Sequence, residues 1–219
     1  MRDIIITLII FGSLPFILKR PFYGIVIWTW IGLMNPHRLC WGFAYTFPFG
    51  QLIAIVTLLS IFLSYSKNHF KIEWTREMKV LLLFTGWMFL TTFFAFNSAG
   101  AWLQWNKVWK IMLMTAVTVL VVQDKQEIHI LVWVAALSLG FYGVKGGIFT
   151  LATGGGHMVL GPASSFIAAR GAIGLAMNMS VPLMRYLQLQ ATQAWVKYGL
   201  AGAMGLTAFS IIGTQSRGA

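Results

Sequence analysis

The stretch FGQLIAIVTLLSIFLSY at residues 49–65 decides the fold class of this chain. It carries no charged residue, and it is long enough for a helix to cross the hydrocarbon core of a bilayer, which takes about 17–25 residues. A second stretch of this kind, VLLLFTGWMFLTTFFAF, occupies residues 80–96. Hydrophobic residues make up 58% of the chain and charged residues 10%, and the mean hydropathy is +0.76. The composition therefore indicates an integral membrane protein.

Apolar segments recur along the whole chain on both sides of residues 49–65. About eight of them are candidates for membrane crossing. They occupy residues 4–18, 22–33, 49–65, 80–96, 108–122, 128–142, 172–187 and 196–213. The first two are short, and they form either two tilted spans or one broken span. We expect an all-α, polytopic transmembrane bundle of about seven to eight membrane segments.

Basic residues outnumber acidic ones by sixteen to five, which gives a net charge of +11. They lie mainly in short loops between the apolar segments, as orientation signals and contacts with anionic lipids do. The densest loop, 67–79, is placed in the cytoplasm by the positive-inside rule. Alternation then places the loops 35–48, 97–107 and 153–170 on the other side. With no soluble basic face, we expect the lipid bilayer and not a nucleic acid as partner.

Few side chains suit metal binding or catalysis. No group of residues has metal-ligand spacing, so we expect no metal and no cofactor. Cys40 is the single cysteine and is expected to be a small packed residue. The lone histidines His37 and His157 are more often merely hydrogen-bonded than catalytic. No acidic residue falls inside an apolar segment, which argues against an ion-coupled transporter.

Arg217 stands at the end of the last apolar segment. In one interpretation its side chain only extends towards water from the membrane edge. In the other, its planar fork binds the phosphate or pyrophosphate of a lipid carrier through paired hydrogen bonds.

Three tryptophans recur at helical spacing, Trp102, Trp105 and Trp109, and they share one face of a helix. Lys107 and Lys110 lie beside them. This pattern is typical of an interfacial helix that is anchored by its indole rings. The alternative is an aromatic and basic wall for a lipid-linked sugar, because tryptophan stacks on sugar faces and lysine attracts phosphate.

Several stretches together resemble one family. They are KRPFYGIVIWTWIGLMNPHRL (19–39), GFAYTFPFGQ (42–51), WLQWNKVWKI (102–111), GPASSFI (161–167), MRYLQLQ (184–190) and SRGA (216–219). They are similar to the O-glycosylation ligases associated with the exosortase A system, within the O-antigen ligase and polymerase superfamily. The resemblance covers essentially the whole chain. One departure is AARG at 168–171, where the family tends to have an acidic, asparagine-rich stretch.

The resemblance implies a polytopic glycosyltransferase of the bacterial inner membrane with about twelve spans. Such enzymes transfer a glycan from an undecaprenyl-diphosphate carrier to a protein or glycan acceptor on the periplasmic face, without a metal or a nucleotide sugar. Residues 1–200 would be the N-terminal transmembrane domain and 201–219 the start of a truncated O-antigen ligase core domain. This chain alone is then expected to be inactive.

The resemblance also implies roles for individual residues. Arg217 matches the arginine that contacts the diphosphate of the carrier, and Arg38, Lys107 and Lys110 are weaker candidates for that role. The catalytic residues are unknown and are expected downstream of Ala219.

Two other functional classes stay open. A flippase for a lipid-linked glycan would share a basic cavity but should show repeat symmetry, and none is found. A non-catalytic scaffold would pack its small-residue faces, such as Gly199, Gly202 and Gly205, against a partner in the membrane. The scaffold predicts that Arg217→Ala leaves glycan transfer by the longer protein intact, whereas the ligase predicts a large loss.

Overall fold

The computed structural model describes residues 2–64 and 74–216. Of this part of the chain 81% is helical and none is strand, which confirms the all-α prediction. It holds nine α-helices and, between α2 and α3, one 3₁₀ turn at Pro36–Leu39. The α-helices are α1 (Arg2–Lys19), α2 (Pro21–Met34), α3 (Phe43–Thr46), α4 (Phe49–Ser64), α5 (Arg76–Phe93), α6 (Ser98–Val121), α7 (Lys125–Ala152), α8 (Arg170–Gln190) and α9 (Ala194–Gly213).

The first two apolar segments form two separate helices. Arg20 between them has an extended backbone, and Pro21 opens α2, where its missing N–H leaves no intrahelical hydrogen bond unmade. The helices run antiparallel, because Asp3 at the start of α1 lies beside Gly42, beyond the end of α2.

Other boundaries differ from the prediction where a polar side chain caps the helix. The Asn97 side chain accepts a hydrogen bond from the Gly100 N–H, so α6 begins well before the predicted residue 108 and includes the tryptophan segment. The Thr75 side chain likewise accepts from the Met78 N–H, so the charged first turn of α5 is helical.

Helix α4 packs against α1 and α2. Their shared core contains Ile10, Ile17, Ile31, Phe49 and Ile53, each 3% exposed or less. At the far end of α4, the buried Ser60 hydroxyl donates to the Ile17 carbonyl oxygen at 2.6 Å. A hydroxyl in an apolar interior needs such a partner, and this bond fixes α4 against the end of α1.

The α7–α9 contact is made by small residues. A Cβ atom at Gly143 would collide with Thr207 of α9, and one at Gly147 would collide with the Leu206 backbone. The absence of these Cβ atoms lets the two helices approach closely, as in membrane helix pairs. The glycines singled out in the sequence lie elsewhere, because a Cβ at Gly199, Gly202 or Gly205 would meet nothing within 4 Å. Those three therefore mediate no helix contact among the described residues.

Helix α2 joins the two halves of the bundle. On one side it contacts α7, where the Tyr142 hydroxyl donates to the Met34 carbonyl oxygen. On the other side, Phe22 and Ile25 pack with Met114 and Val117 of α6. The α5–α6 hairpin is attached to the bundle through α6.

The loops gather at two ends of the bundle, which we call end I and end II. End I holds the start of α1, the 35–48 segment, the 153–169 segment and the end of α9, where the Val159 N–H donates to the Gly213 carbonyl oxygen at 2.9 Å. End II holds the α1–α2 junction, where Arg20 pairs with Glu127 at the start of α7. This grouping agrees with the alternation expected from the loops.

Two helices, α7 and α9, are long and apolar enough to cross a membrane. Helices α2 and α4 are apolar but shorter. Large apolar side chains also cover the outside of the described chain, among them Leu8, Phe62 and Leu83, each at least 61% exposed.

Candidate functional site

A cavity of about 1230 Å³ opens at end I. Its walls come from α1, α2, α7 and the segment between α2 and α4, with a contribution from the 153–169 segment. The residues that line it are Arg2, Ile5, Ile6, Ile9, Trp30, Met34, Pro36, Arg38, Leu39, Cys40, Trp41, Gly42, Tyr45, Phe141, Lys145 and Ala163. It is larger than the usual small-molecule pocket of about 300–1,000 Å³.

Three basic side chains line this cavity. Arg2 and Lys145 are exposed, and Arg38 is half-buried. Arg38 is held by Tyr45 in two ways. Its Nη1 atom donates to the Tyr45 carbonyl oxygen at 3.2 Å, and its guanidinium carbon lies 5.0 Å from the centroid of the Tyr45 ring. Since a guanidinium has further N–H donors, Arg38 retains hydrogen-bonding capacity for a ligand.

The cavity is basic near end I and apolar farther along the helices. On α1, Arg2 stands at the helix start, and Ile9 lies about two turns farther in. On α7, which runs towards end I, Phe141 lies about one turn deeper than Lys145. On α2, Trp30 lies likewise about one turn deeper than Met34. An amphiphile with an anionic headgroup and a hydrocarbon chain matches this order.

Carboxylates are scarce around the cavity. Of the acidic residues in the described ranges, Asp3, Glu77, Asp124 and Glu127, only Asp3 lies at end I. None of the three cavity cations forms an ion pair with it among the described residues. The Asp3 Oδ1 atom is buried and has no hydrogen-bond partner there. The positive charge at this end is therefore mostly uncompensated, which favours an anionic ligand.

The opposite end treats its arginine differently. At end II the Arg20 Nη2 atom donates to Glu127 Oε1 at 2.7 Å, and Glu127 is 10% exposed. The Arg20 guanidinium also lies 5.7 Å from the centroid of the Phe22 ring. This pair joins the α1–α2 junction to α7 and gives Arg20 a structural role.

His37 and Cys40 lie in the short segment that follows α2. Burial, together with the Arg38 charge, lowers the pKa of His37 from 6.5 to about 4. Its ring meets Phe49 edge-on, and its Nδ1 atom is buried with no hydrogen-bond partner among the described residues. Burial and the nearby Asp3 raise the pKa of the Cys40 thiol, which is 4% exposed and lines the cavity. Neither group is suited to act as a base or nucleophile at neutral pH.

The residues selected from the sequence fall in different places. Arg38 lines the cavity, whereas Lys107 and Lys110 do not. Arg217 lies outside the described residues. His157 is exposed, and the one contact described for its ring is with Phe149.

The three tryptophans do not line the cavity either. Trp102 packs against Phe89 and Phe93 of α5, and Trp105 packs against Phe89. The Trp109 indole N–H donates to the Asn106 side chain at 3.2 Å. Two of the three therefore hold the α5–α6 hairpin together in the structure.

Sequence reasoning did not select Arg2 and Lys145. Both had been counted only as basic residues on the same side of the membrane. A usable signal existed for Lys145, because a lysine within the apolar run GVKGG, away from any helix end, must face water, a partner or a ligand. No such signal marks Arg2, which reaches the cavity only because α1 and α2 form a hairpin.

Comparison with known proteins identifies a family for this chain. Neither the curated proteins nor the solved structures contain a match. A family model matches residues 1–192, which includes every residue that lines the cavity. The chain therefore belongs to the family described as "Family of unknown function (DUF5935)".

Proposed function

We propose that this chain is part of a multi-pass glycosyltransferase of the bacterial inner membrane, of the O-antigen ligase type. It binds an undecaprenyl-diphosphate-linked glycan and takes part in transferring the glycan to a protein or other acceptor on the periplasmic face. End I is the periplasmic end, and about seven to eight segments embed in the bilayer. The observation that carries the proposal is the cavity at end I, which combines three basic side chains with an apolar interior.

A polyprenyl diphosphate matches each part of this cavity. Its diphosphate is multiply charged and suits Arg2, Arg38 and Lys145 near the opening. Its hydrocarbon chain suits the α1 isoleucines and the aromatic rings deeper in. Because the cavity is formed between helices at one end of the bundle, a lipid could keep its chain among the helices while its headgroup stays at the surface.

The chemical role of the cations follows from the leaving group. Transfer of the glycan breaks the bond between the anomeric carbon and a diphosphate oxygen, and negative charge grows on the diphosphate. Fixed cations that contact it offset this charge and lower the barrier. The base that removes the proton of the acceptor hydroxyl is not among the residues of this cavity, since His37 is largely neutral but too weakly basic at neutral pH.

Other residues stay candidates on the resemblance alone. Arg217 is proposed as a further diphosphate ligand, and Trp102, Trp105 and Trp109 as a wall for the sugar. We expect the 219-residue chain by itself to show no glycan transfer. Detectable transfer by membranes that contain only this chain would contradict that expectation.

Ligand binding tests the proposal. The purified chain in lipid nanodiscs is titrated with farnesyl diphosphate, a short polyprenyl diphosphate, and with farnesol, which lacks the charge. We expect saturable binding of the diphosphate, at least about tenfold tighter than binding of farnesol, because hydrogen bonds to charged groups contribute about 1.5–3 kcal/mol each.

A matched pair of variants assigns the site. Arg38→Ala should weaken binding about tenfold or more, while Arg185→Ala at end II should leave it unchanged. Equal affinity for diphosphate and alcohol, or equal effects of the two arginine substitutions, would contradict the proposal.

A further inference from the structure

The segment that follows the glycine-rich stretch forms a compact turn, Gly161 to Ile167. The Ser165 hydroxyl donates to the Pro162 carbonyl oxygen at 2.7 Å, and the Ala168 N–H donates to the Ser165 carbonyl oxygen at 3.3 Å. A Cβ atom at Gly161 would collide with the Ile167 backbone, so glycine is what allows the turn to close on itself. Residues 161–167 therefore behave as one unit, which we call the strap.

The strap reaches the opening of the cavity. Ala163 lines the cavity, and the neighbouring Ser164 hydroxyl lies 3.3 Å from the Tyr45 hydroxyl on the opposite wall. On its N-terminal side the strap is fixed to α9, because the Val159 N–H donates to the Gly213 carbonyl oxygen at 2.9 Å. The Tyr45–Ser164 hydrogen bond is exposed and joins two neutral groups, so its net contribution is small and it can open readily.

Tyr45 joins the strap to Arg38. Its hydroxyl faces Ser164, its ring lies under the Arg38 guanidinium at 5.0 Å, and its carbonyl oxygen accepts from Arg38 Nη1. A flat ring below a guanidinium restricts its orientation and supplies a cation–π attraction. One side chain thus contacts both the closing element and the central cation of the cavity.

We propose that Tyr45 is a positioning residue with two separable roles: its ring orients Arg38 towards the anion, and its hydroxyl holds the strap closed over the cavity through Ser164. The first role rests on the anion site proposed above, whereas the second does not. Binding a large amphiphile requires the strap to open, and breaking the Tyr45–Ser164 bond is the local change that permits it.

The chain contains its own reporter of strap opening. Cys40 is the single cysteine, lines the cavity and is 4% exposed. Its reaction with a small neutral thiol reagent, methyl methanethiosulfonate, in nanodiscs at fixed pH therefore measures how often the cavity opens. Tyr45→Phe and Ser164→Ala should each raise the rate about two- to tenfold, which corresponds to one lost hydrogen bond.

The double variant sharpens the test of the strap. Because both substitutions remove the same bond, Tyr45→Phe with Ser164→Ala should react no faster than either single variant. Tyr198→Phe, an exposed tyrosine on α9, is the matched control and should react at the unmodified rate. Unchanged rates in both single variants, or multiplied rates in the double variant, would overturn the strap.

Protection of Cys40 by farnesyl diphosphate tests the positioning role. Tyr45→Ala should raise the half-protecting concentration several-fold, whereas Tyr45→Phe, which keeps the ring, should restore it to near that of the unmodified chain. Equal half-protecting concentrations for Tyr45→Ala and the unmodified chain would overturn the positioning role. If farnesyl diphosphate gives no protection at all, the proposed anion site and the positioning role both fail. The strap then still stands or falls on the rates without ligand.

Discussion

Arg20 and Arg38 lie at opposite ends of the same helix, α2, and their surroundings differ. Arg20 meets a carboxylate, Glu127, at 2.7 Å, so its charge is neutralised within the chain. Arg38 meets only a backbone carbonyl oxygen and an aromatic ring. Neither the ring nor the carbonyl group carries a formal charge that would cancel that of Arg38. The comparison teaches that arginines alike in the sequence separate into a structural one and one that is available to a ligand.

Removing all the basic side chains of the cavity should have the largest effect. The triple variant Arg2→Ala, Arg38→Ala, Lys145→Ala is expected to weaken farnesyl diphosphate binding more than about 100-fold, because several charge-assisted hydrogen bonds are lost together. The melting temperature should not fall, since these cations form no ion pair among the described residues. Titration and thermal unfolding in nanodiscs measure the two quantities.

The control carries the same charge change at end II. Lys19→Ala, Arg185→Ala and Lys197→Ala together should leave the affinity within about twofold of the original. If both triple variants lose affinity equally, net charge and not the cavity governs binding.

Breaking the ion pair at end II should affect stability and not binding. Glu127→Ala leaves Arg20 without its carboxylate, and we expect a loss of about 1–3 kcal/mol in the free energy of unfolding. The estimate is at the lower end for a buried pair, because Arg20 is 55% exposed. Denaturant unfolding in detergent measures the change. Asp124→Ala, which removes an exposed carboxylate nearby, should change little; an equal loss would contradict the role of the pair.

His37 gives end I a pH dependence. Its pKa is lowered to about 4 in the folded chain, so the unfolded chain binds the proton first as the pH falls below 6.5. The folded state therefore loses stability between about pH 6.5 and pH 4, and this contribution is fully present above that window. Thermal unfolding of the unmodified chain and of His37→Gln across this range measures it. The substitution should flatten the dependence, and His157→Gln should not.

Lys107 and Lys110 should give the smallest effect on diphosphate affinity. Both lie outside the cavity, so replacing both with alanine should change the affinity by less than about twofold. A loss comparable to that of Arg38→Ala would instead restore the tryptophan and lysine face of α6 as the binding site.

Much of the fold followed from the sequence because apolar runs and helices coincide. Residues 49–65 and 196–213 match α4 and α9 closely. The helix starts at Arg76 and Ser98 were missed, because hydropathy does not register a capping hydrogen bond. The membrane-crossing segments were predicted more freely than the helices allow, since two of them meet both the length and the hydropathy needed.

The site was less predictable than the fold. Arg38 was selected beside an aromatic segment, but nothing local brings Arg2 or Lys145 to it. Their meeting depends on the α1–α2 hairpin and on the packing of α2 against α7, which involve residues more than a hundred positions apart, as in the Tyr142–Met34 hydrogen bond. Periodicity describes single segments, and such pairings between distant segments lie beyond it.

The most direct test of the central claim is to locate the lipid chain. A polyprenyl diphosphate that carries a photoreactive diazirine on its hydrocarbon chain is bound to the protein in nanodiscs, irradiated, and mapped by peptide mass spectrometry. The cavity predicts crosslinks on residues 5–9 of α1, at Trp30 of α2 and at Phe141 of α7, all suppressed by excess unlabelled ligand. Crosslinks concentrated on α5 and α6, or spread evenly over the lipid-exposed helices, would contradict it.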